Sequence, residues 1–244
     1  VFTFRLFRLG DNYSDTRGAP AIGTLVSQCF YDGELENGER IIPDIYGDVP
    51  EAMIASTTWL DTSSLGKKAN HQEKGSKYNI YNEKEADAIV ELLKEIDAKH
   101  NFVNSLMEQV KEGEAAIGVI CMYAEQKRHL RQKVNKAGFS DELLKLLKID
   151  TVDSYQGKEN RIIILSVTRS EQRQTSGFLY LPNRINVALS RAMDRLVIVG
   201  DSRMWQGKNS HLPFGKVIKL MTGNIDKNLY RFVDVTNKNI KTAV

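Results

Sequence analysis

Short, continuously apolar segments alternate with amphipathic segments along most of this chain, and that alternation limits the folds open to it. Ala116 to Met122 and Arg161 to Val167 are rich in Val, Ile and Leu over strand-like lengths, as in strands that are buried on both faces of a sheet. Residues 86–96 instead carry their apolar side chains at helical spacing. The pattern predicts an α/β three-layer sandwich with a mostly parallel central sheet. Its ligands are expected at the carboxyl ends of the strands.

The whole chain, residues 1–244, is predicted to form a single domain. Residues 1–60 form a lead-in to the regular part of the fold. Residues 61–80 are polar and rich in Gly and Lys, which predicts a flexible surface loop. The regular alternation of strands and helices occupies residues 81–244 and forms the α/β core.

Composition excludes some classes of protein and leaves others open. Apolar runs such as Ile162 to Leu165 are too short to span a bilayer, and Val1 begins no signal-peptide pattern, so no membrane partner is expected. Cys29 and Cys121 lie in apolar surroundings and are predicted to be buried thiols in a reducing compartment, and no metal site is predicted. The expected location is the cytoplasm, or the nucleus in a eukaryote. The net charge of +3 is compatible with a polyanionic partner but does not require one.

The segment Pro182 to Ala192 reads PNRINVALSRA and is predicted to be a helix that begins at the proline. Its apolar residues fall on one face, toward the sheet. Arg184 and Arg191 fall together on another face, about two turns from each other. A planar guanidinium at the end of a strand is suited to a phosphate oxygen. An amphipathic surface helix with two solvated arginines is the alternative that this segment alone leaves open.

A second segment, TVDSYQGKE from Thr151 to Glu159, follows a predicted strand. Gly157 permits a tight turn close to a ligand, and Glu159 begins the next strand with an acceptor for a hydroxyl group. An ordinary β-turn that contains a glycine is the alternative interpretation.

These two segments resemble motifs VI and V of the superfamily 1 helicases, in the up-frameshift branch, which read R-x-N-V-A-L-[ST]-R-A and V-D-x-[FY]-Q-G-x-E. The resemblance implies a RecA-like domain of the P-loop NTPase type, the second of the two in the motor. It implies that Arg191 is the arginine finger that reaches the γ-phosphate of ATP and that Arg184 supports it. By the same resemblance Glu159 contacts the ribose, and Gln156 and Gly157 lie between nucleotide and nucleic acid.

The segment GVICMYAEQ, residues 118–126, resembles motif IV of the same branch, with Met122 in the place of a proline. The resemblance implies that Tyr123 and Gln126 contact the bound nucleic-acid strand. Thr168, in the SVTR extension of the strand that follows motif V, is assigned to the same surface. A buried strand that leads into a helix is the alternative, and it accounts for the apolar residues but not for the tyrosine and the glutamine.

Two residues near the amino terminus resemble further nucleotide contacts of the family. Arg17, in RGAPAI, aligns with the family's Y-R-M-H-P-x-[IL] and would be a second γ-phosphate arginine. Thr16 replaces the adenine-stacking tyrosine of that pattern, and Tyr13 is the candidate for the stacking role. The segment Asn82 to Ala86 also recurs in the family, but an Asn N-cap accounts for it and no chemistry is assigned to it.

No segment of the chain matches the phosphate-binding loop GxxxxGK[ST] or the acidic Mg²⁺-binding motif that a complete P-loop ATPase needs. The resemblance therefore covers one half of a motor, and the first RecA-like domain is expected in a preceding part of the parent protein. ATP and Mg²⁺ are expected to bind only between the two domains, so the isolated chain is predicted to be inactive. The expected partner is single-stranded DNA or RNA. A RecA-like scaffold that binds nucleic acid or protein and has lost catalysis is the alternative function.

Overall fold

A central sheet of six strands organises the structure, a computed structural model that describes residues 19–35, 41–76, 79–155, 158–224, 226 and 228–236. Its strands are β1 (Thr57–Asp61), β4 (Ile117–Cys121), β5 (Leu147–Thr151), β6 (Asn160–Ser166), β7 (Ala192–Gly200) and β8 (Tyr230–Asp234), while β2 (Gln72–Glu73) and β3 (Ile80–Tyr81) pair separately. The order across the sheet is β5-β4-β6-β7-β1-β8, and every pairing is parallel. The predicted parallel α/β sheet is confirmed.

Helices cover both faces of the sheet and give it three layers. Successive residues of a strand point to opposite faces, so Ile162 and Ile164 belong to one apolar core and Ile163 and Leu165 to the other. The Ile163 face is covered by α1 (Pro20–Phe30), α6 (Pro182–Leu189) and α7 (Pro213–Gly223), and the Ile162 face by α2 (Glu83–Asp97), α3 (His100–Glu108), α4 (Ala124–Lys136) and α5 (Asp141–Leu146).

The two cysteines are buried thiols, as predicted from their surroundings. Neither Cys29 nor Cys121 forms a disulfide, and burial raises the pKa of Cys29 to about 11. Within the described ranges, no helix has the length and apolar character needed to cross a membrane. The same ranges contain no group of His, Cys, Asp and Glu side chains that could hold a metal ion.

Much of the segment 61–80 has regular structure where the sequence suggested a flexible loop. Ser63–Ala69 form a 3-10 helix, and β2 and β3 form a short antiparallel hairpin. A guanidinium nitrogen of Arg203 donates to the carbonyl oxygen of Gly66 at 3.0 Å, and the N–H of His71 donates to the carbonyl oxygen of Ser170 at 2.9 Å. Those partners are 137 and 99 residues away in sequence, so local composition could not reveal them.

A buried polar network joins the amino terminus of α2 to the carboxyl end of β6. Asn82 is the N-cap of α2, and its Oδ1 accepts from the N–H groups of Lys84 and Glu85, both at 3.1 Å. Its Nδ2 also donates to the carbonyl oxygens of Ala69 and Thr168, at 2.8 and 3.0 Å. The N-cap interpretation is confirmed. It is also incomplete, because the same side chain bonds the segments that follow β1 and β6 to the helix.

Glu85, in the first turn of α2, is a fully buried carboxyl group. Its Oε2 accepts from Ser166 Oγ and from the N–H of Thr168, both at 2.7 Å. Thr168 has a φ of 71°, a left-handed conformation that β-branched residues rarely adopt, and the bond to Glu85 stabilises it there. Burial raises the pKa of Glu85 to about 8, and the nearby carboxylate of Asp201 adds to the rise while hydrogen bonds to Glu85 oppose it.

The raised pKa of Glu85 predicts how stability depends on pH. The folded protein binds this proton more tightly than the unfolded chain, whose glutamate has a pKa near 4.5. The contribution of Glu85 to stability is therefore fully present below about pH 4.5 and is lost as pH rises through about 8. Glu85→Gln keeps an oxygen acceptor and cannot ionise, so the variant should gain free energy of unfolding relative to the native chain on going from about pH 5 to about pH 8.

Urea unfolding of both proteins at the two pH values measures this change. Glu91→Gln, on an exposed position of the same helix, is the control and should show a much smaller change. A difference in the free energy of unfolding between Glu85→Gln and the native chain that does not change with pH would contradict the raised pKa of Glu85.

Candidate functional sites

Glu159 and Arg191 lie side by side at the amino edge of the sheet. Glu159 directly precedes β6 and Arg191 directly precedes β7, and these strands pair in parallel. The N–H of Asn160 donates to the carbonyl oxygen of Arg191 at 3.1 Å, which fixes the two positions as neighbours. Each residue precedes its strand, so the pair lies at the opposite edge from the carboxyl ends at which the sequence suggested that ligands bind.

The helix that was predicted to carry both motif arginines is shorter than expected. It ends at Leu189, and Arg191 lies in the turn before β7. The apolar residues keep their helical spacing through Ala192. The helix ends earlier because the chain pairs with β6 from Ala192 onward. The Nε of Arg191 donates to the carbonyl oxygen of Val187 at 3.1 Å, which ties the half-buried side chain to the last turn of α6.

Arg184 lies in the first turn of α6, at the opposite end of the helix from Arg191. Its Nε forms an ion pair with Asp153 Oδ1 at 3.1 Å, and its guanidinium lies 4.9 Å from the centroid of the Phe178 ring. Asp153 follows the carboxyl end of β5. The structure therefore places Arg184 toward the carboxyl edge and does not bring the two arginines together.

The segment that resembles motif V crosses one face of the sheet between β5 and β6, and Tyr155 anchors it there. The Tyr155 ring is buried, and its hydroxyl donates to Asn160 Oδ1 at 2.8 Å. Gly118 makes room for that hydroxyl, because a Cβ at this position would overlap it. The sequence analysis missed this contact, for which the only signal was a glycine inside an apolar strand. Four predicted nucleotide contacts lie outside the described residues: Tyr13, Arg17, Gln156 and Gly157.

Tyr123, at the carboxyl end of β4, is almost completely buried. The Nε of Arg169 donates to its hydroxyl oxygen at 2.9 Å, and the ring of Phe178 packs on it with 4.7 Å between centroids. Burial raises the pKa of Tyr123, against the opposing effect of Arg169. The Tyr123 ring therefore supports the loop that follows β6.

Gln126 is also buried, and both ends of its amide are bonded. Its Nε2 donates to Ser166 Oγ at 3.0 Å and to the carbonyl oxygen of Asn82 at 3.2 Å, while its Oε1 accepts from the N–H of Asn82 at 2.7 Å. Thr168 is buried at the same carboxyl edge as Tyr123 and Gln126, and all three side chains support the turns beyond the strands. The adjoining segment exposes two large apolar side chains, Tyr180 and Leu181, and the side chain of Arg184 is 43% exposed.

An open crevice of about 220 Å³ lies at the carboxyl edge, where the loops after β1, β6 and β7 meet. Lys67 and Arg203 contribute to its lining. Arg203 is held in place by Asp201, with Nε–Oδ1 and Nη2–Oδ2 distances of 3.0 and 2.7 Å. Lys67 and Arg203 offer donors for a phosphate group, and the carboxylates of Asp201 and Glu171 line the same crevice.

Comparison with known proteins identifies the family. Residues 10–203 match a protein family described as an AAA domain. The Regulator of nonsense transcripts 1 homolog of Neurospora crassa is 32% identical over 76% of this chain, and that of Arabidopsis thaliana is 32% identical over 79%. The DNA polymerase alpha-associated DNA helicase A of Saccharomyces cerevisiae is 42% identical over 38% of this chain. The chain spans 16%, 15% and 13% of the length of these relatives, respectively.

The match covers the motif segments in their expected order, and the sheet that carries them is parallel throughout. The chain therefore belongs to the AAA domain family and is a second RecA-like domain of a superfamily 1 helicase of the up-frameshift kind.

Proposed function

We propose that this chain is the C-terminal motor domain of an ATP-dependent helicase or translocase that acts on single-stranded DNA or RNA. The observation that carries the proposal is the placement of Glu159 and Arg191 together at the amino edge of the sheet, fixed by the pairing of β6 with β7. A carboxylate beside a guanidinium offers an acceptor for a ribose hydroxyl and a donor for phosphate oxygens. The two groups would contact a bound nucleoside triphosphate at its ribose and at its γ-phosphate, respectively.

Arg191 is suited to the role of an arginine finger. Its Nε is bonded to the carbonyl oxygen of Val187, so the direction of the guanidinium is set by the end of α6. Arginine fingers act on the charge that develops during phosphoryl transfer, and a side chain already oriented loses less entropy in doing so. Arg184 would then support the site from the other end of the helix through the segment that contains Asp153, to which it is ion-paired.

The nucleotide site would be completed by residues from elsewhere in the parent protein. A preceding RecA-like domain would supply the phosphate-binding loop and the Mg²⁺ ligands, and its docking surface would be the amino edge that carries Arg191. Within this chain, Arg17 would contact the γ-phosphate and Tyr13 the adenine, while Gln156 and Gly157 would connect the nucleotide to the nucleic acid.

The carboxyl edge would bind the nucleic-acid strand. Tyr123, Gln126 and Thr168 shape the turns beyond β4 and β6 from beneath, and these turns would meet the strand with backbone groups and exposed side chains. The crevice lined by Lys67 and Arg203 lies at the same edge and would take backbone phosphates. Nucleotide and nucleic acid would thus contact opposite edges of one sheet.

Replacement of Arg191 tests the nucleotide site in the full-length parent protein. Arg191→Ala should lower the kcat of ATP hydrolysis by roughly 10³-fold, because the lost charge acts mainly on the transition state. Nucleotide affinity should change much less. Arg191→Lys should restore little activity, because an ammonium lacks the planar fork that bridges two phosphate oxygens.

Steady-state ATPase with saturating single-stranded nucleic acid measures kcat, and a melting curve checks the fold. Arg184→Ala, the other arginine of the motif segment, is the matched comparison and should cause a smaller loss. A well-folded Arg191→Ala protein with near-native kcat would remove the arginine-finger role. An unmodified parent protein without ATPase activity would favour a scaffold that has lost catalysis.

The isolated chain should behave as half of a motor. It should hydrolyse no ATP above background, because it contains no phosphate-binding loop. It should bind single-stranded nucleic acid weakly, without sequence preference and with an affinity that falls steeply with salt, because phosphate contacts dominate such surfaces. Magnesium-dependent turnover by residues 1–244 would contradict the half-motor assignment, and binding that ignores ionic strength would contradict the phosphate-contact surface.

A further inference from the structure

We infer that Tyr180, with Leu181 beside it, is a stacking surface for a base of the single strand at the carboxyl edge. The inference rests on the proposed function and adds to it a residue that no helicase motif of the sequence includes. Tyr180 is 56% exposed and Leu181 is 41% exposed. They are consecutive, whereas the other large exposed hydrophobic residues of the described ranges are isolated from one another in sequence.

The segment that carries Tyr180 is fixed from beneath. Leu179 is fully buried in the apolar core, and Phe178 packs on the ring of Tyr123. Gly177 has a φ of 58°, and a Cβ at this position would lie 2.8 Å from Nε of Arg169, so the chain passes close over the Arg169–Tyr123 pair. A side chain that remains exposed on so well anchored a turn is available for contact at little cost in backbone order.

A cation lies next to the aromatic side chains. The side chain of Arg184 is 43% exposed, and its guanidinium lies over the Phe178 ring while it pairs with Asp153. Alternating aromatic and guanidinium planes are the surface on which successive bases of a single strand stack, with the positive charge placed for the backbone phosphates. Tyr180 has a flat ring and only two side-chain torsions to restrict, so it suits this contact better than a long aliphatic chain would.

The position of this patch favours nucleic acid over the preceding RecA-like domain as its occupant. Tyr180 lies two residues before the amino terminus of α6, whose Arg184 pairs with Asp153 beyond the carboxyl end of β5. Arg191, which the preceding domain would have to approach, lies beyond the other end of the same helix. Tyr123, a buried residue assigned to nucleic acid, packs against Phe178 of the segment that carries the patch.

Strands with and without bases separate stacking from phosphate contact. Binding of the chain to a labelled oligothymidylate or oligouridylate, and to an abasic strand of equal length, is measured by fluorescence anisotropy at low and rising salt. Tyr180→Ala should weaken binding of the base-bearing strands roughly ten-fold, the size of one base–aromatic contact. Its affinity for the abasic strand and the salt dependence should stay native, and Tyr180→Phe should bind like the native chain.

Leu144→Ala, which removes a side chain that is 42% exposed on α5, is the matched control and should leave both affinities unchanged. Equal loss on both kinds of strand, or native binding by Tyr180→Ala, would overturn the stacking role. Native strand binding with weakened association to the separately expressed preceding domain would instead identify the patch as a domain interface. A native chain that binds neither strand would overturn the proposed nucleic-acid function, and this inference with it.

Discussion

The pairing of β6 with β7 is the constraint on which both sites depend. At its amino edge the pairing sets Glu159 beside Arg191 through the bond from Asn160 to the carbonyl oxygen of Arg191. Along its length it buries aliphatic side chains on both faces of the sheet, so neither strand can shift register without moving its apolar residues into the wrong layer. The positions of Glu159 and Arg191, the proposed nucleotide contacts, are therefore set by the core of the protein, whereas a surface loop would leave them variable.

At the opposite edge a buried carboxyl group has the corresponding role. Glu85 bonds to Ser166 and Thr168 just where β6 ends, and so stabilises a left-handed threonine that local propensity disfavours. Leaving those donors without an acceptor in the interior would cost on the order of 1–3 kcal/mol for each group. Burial opposes the ionisation of Glu85. While the carboxyl group keeps its proton, it makes these contacts without the cost of burying a charge.

The sequence predicted the fold well because parallel buried strands leave a local signal, a continuous run of apolar residues. It predicted the sites less well because their geometry comes from distant partners. Helical spacing continued through Ala192, but pairing with a strand 30 residues earlier ended α6 at Leu189. Gln126 has the residue type of a surface contact, yet its amide is bonded to Asn82 and Ser166, which are 44 and 40 residues away. The sequence of each motif segment gives no indication of these distant partners.

A single strand, β6, connects the two edges of the sheet. β6 begins next to Glu159 and ends at Ser166, a span of about 20 Å at the usual rise per residue, and it is buried along most of that length. A strand packed on both faces transmits a displacement of one end with little bending. Closure of a partner domain on Arg191 and Glu159 would therefore move the turn at Thr168 as part of the same rigid body. Nucleotide and nucleic-acid contacts at opposite edges would then be coupled through the sheet itself, without a separate switch element.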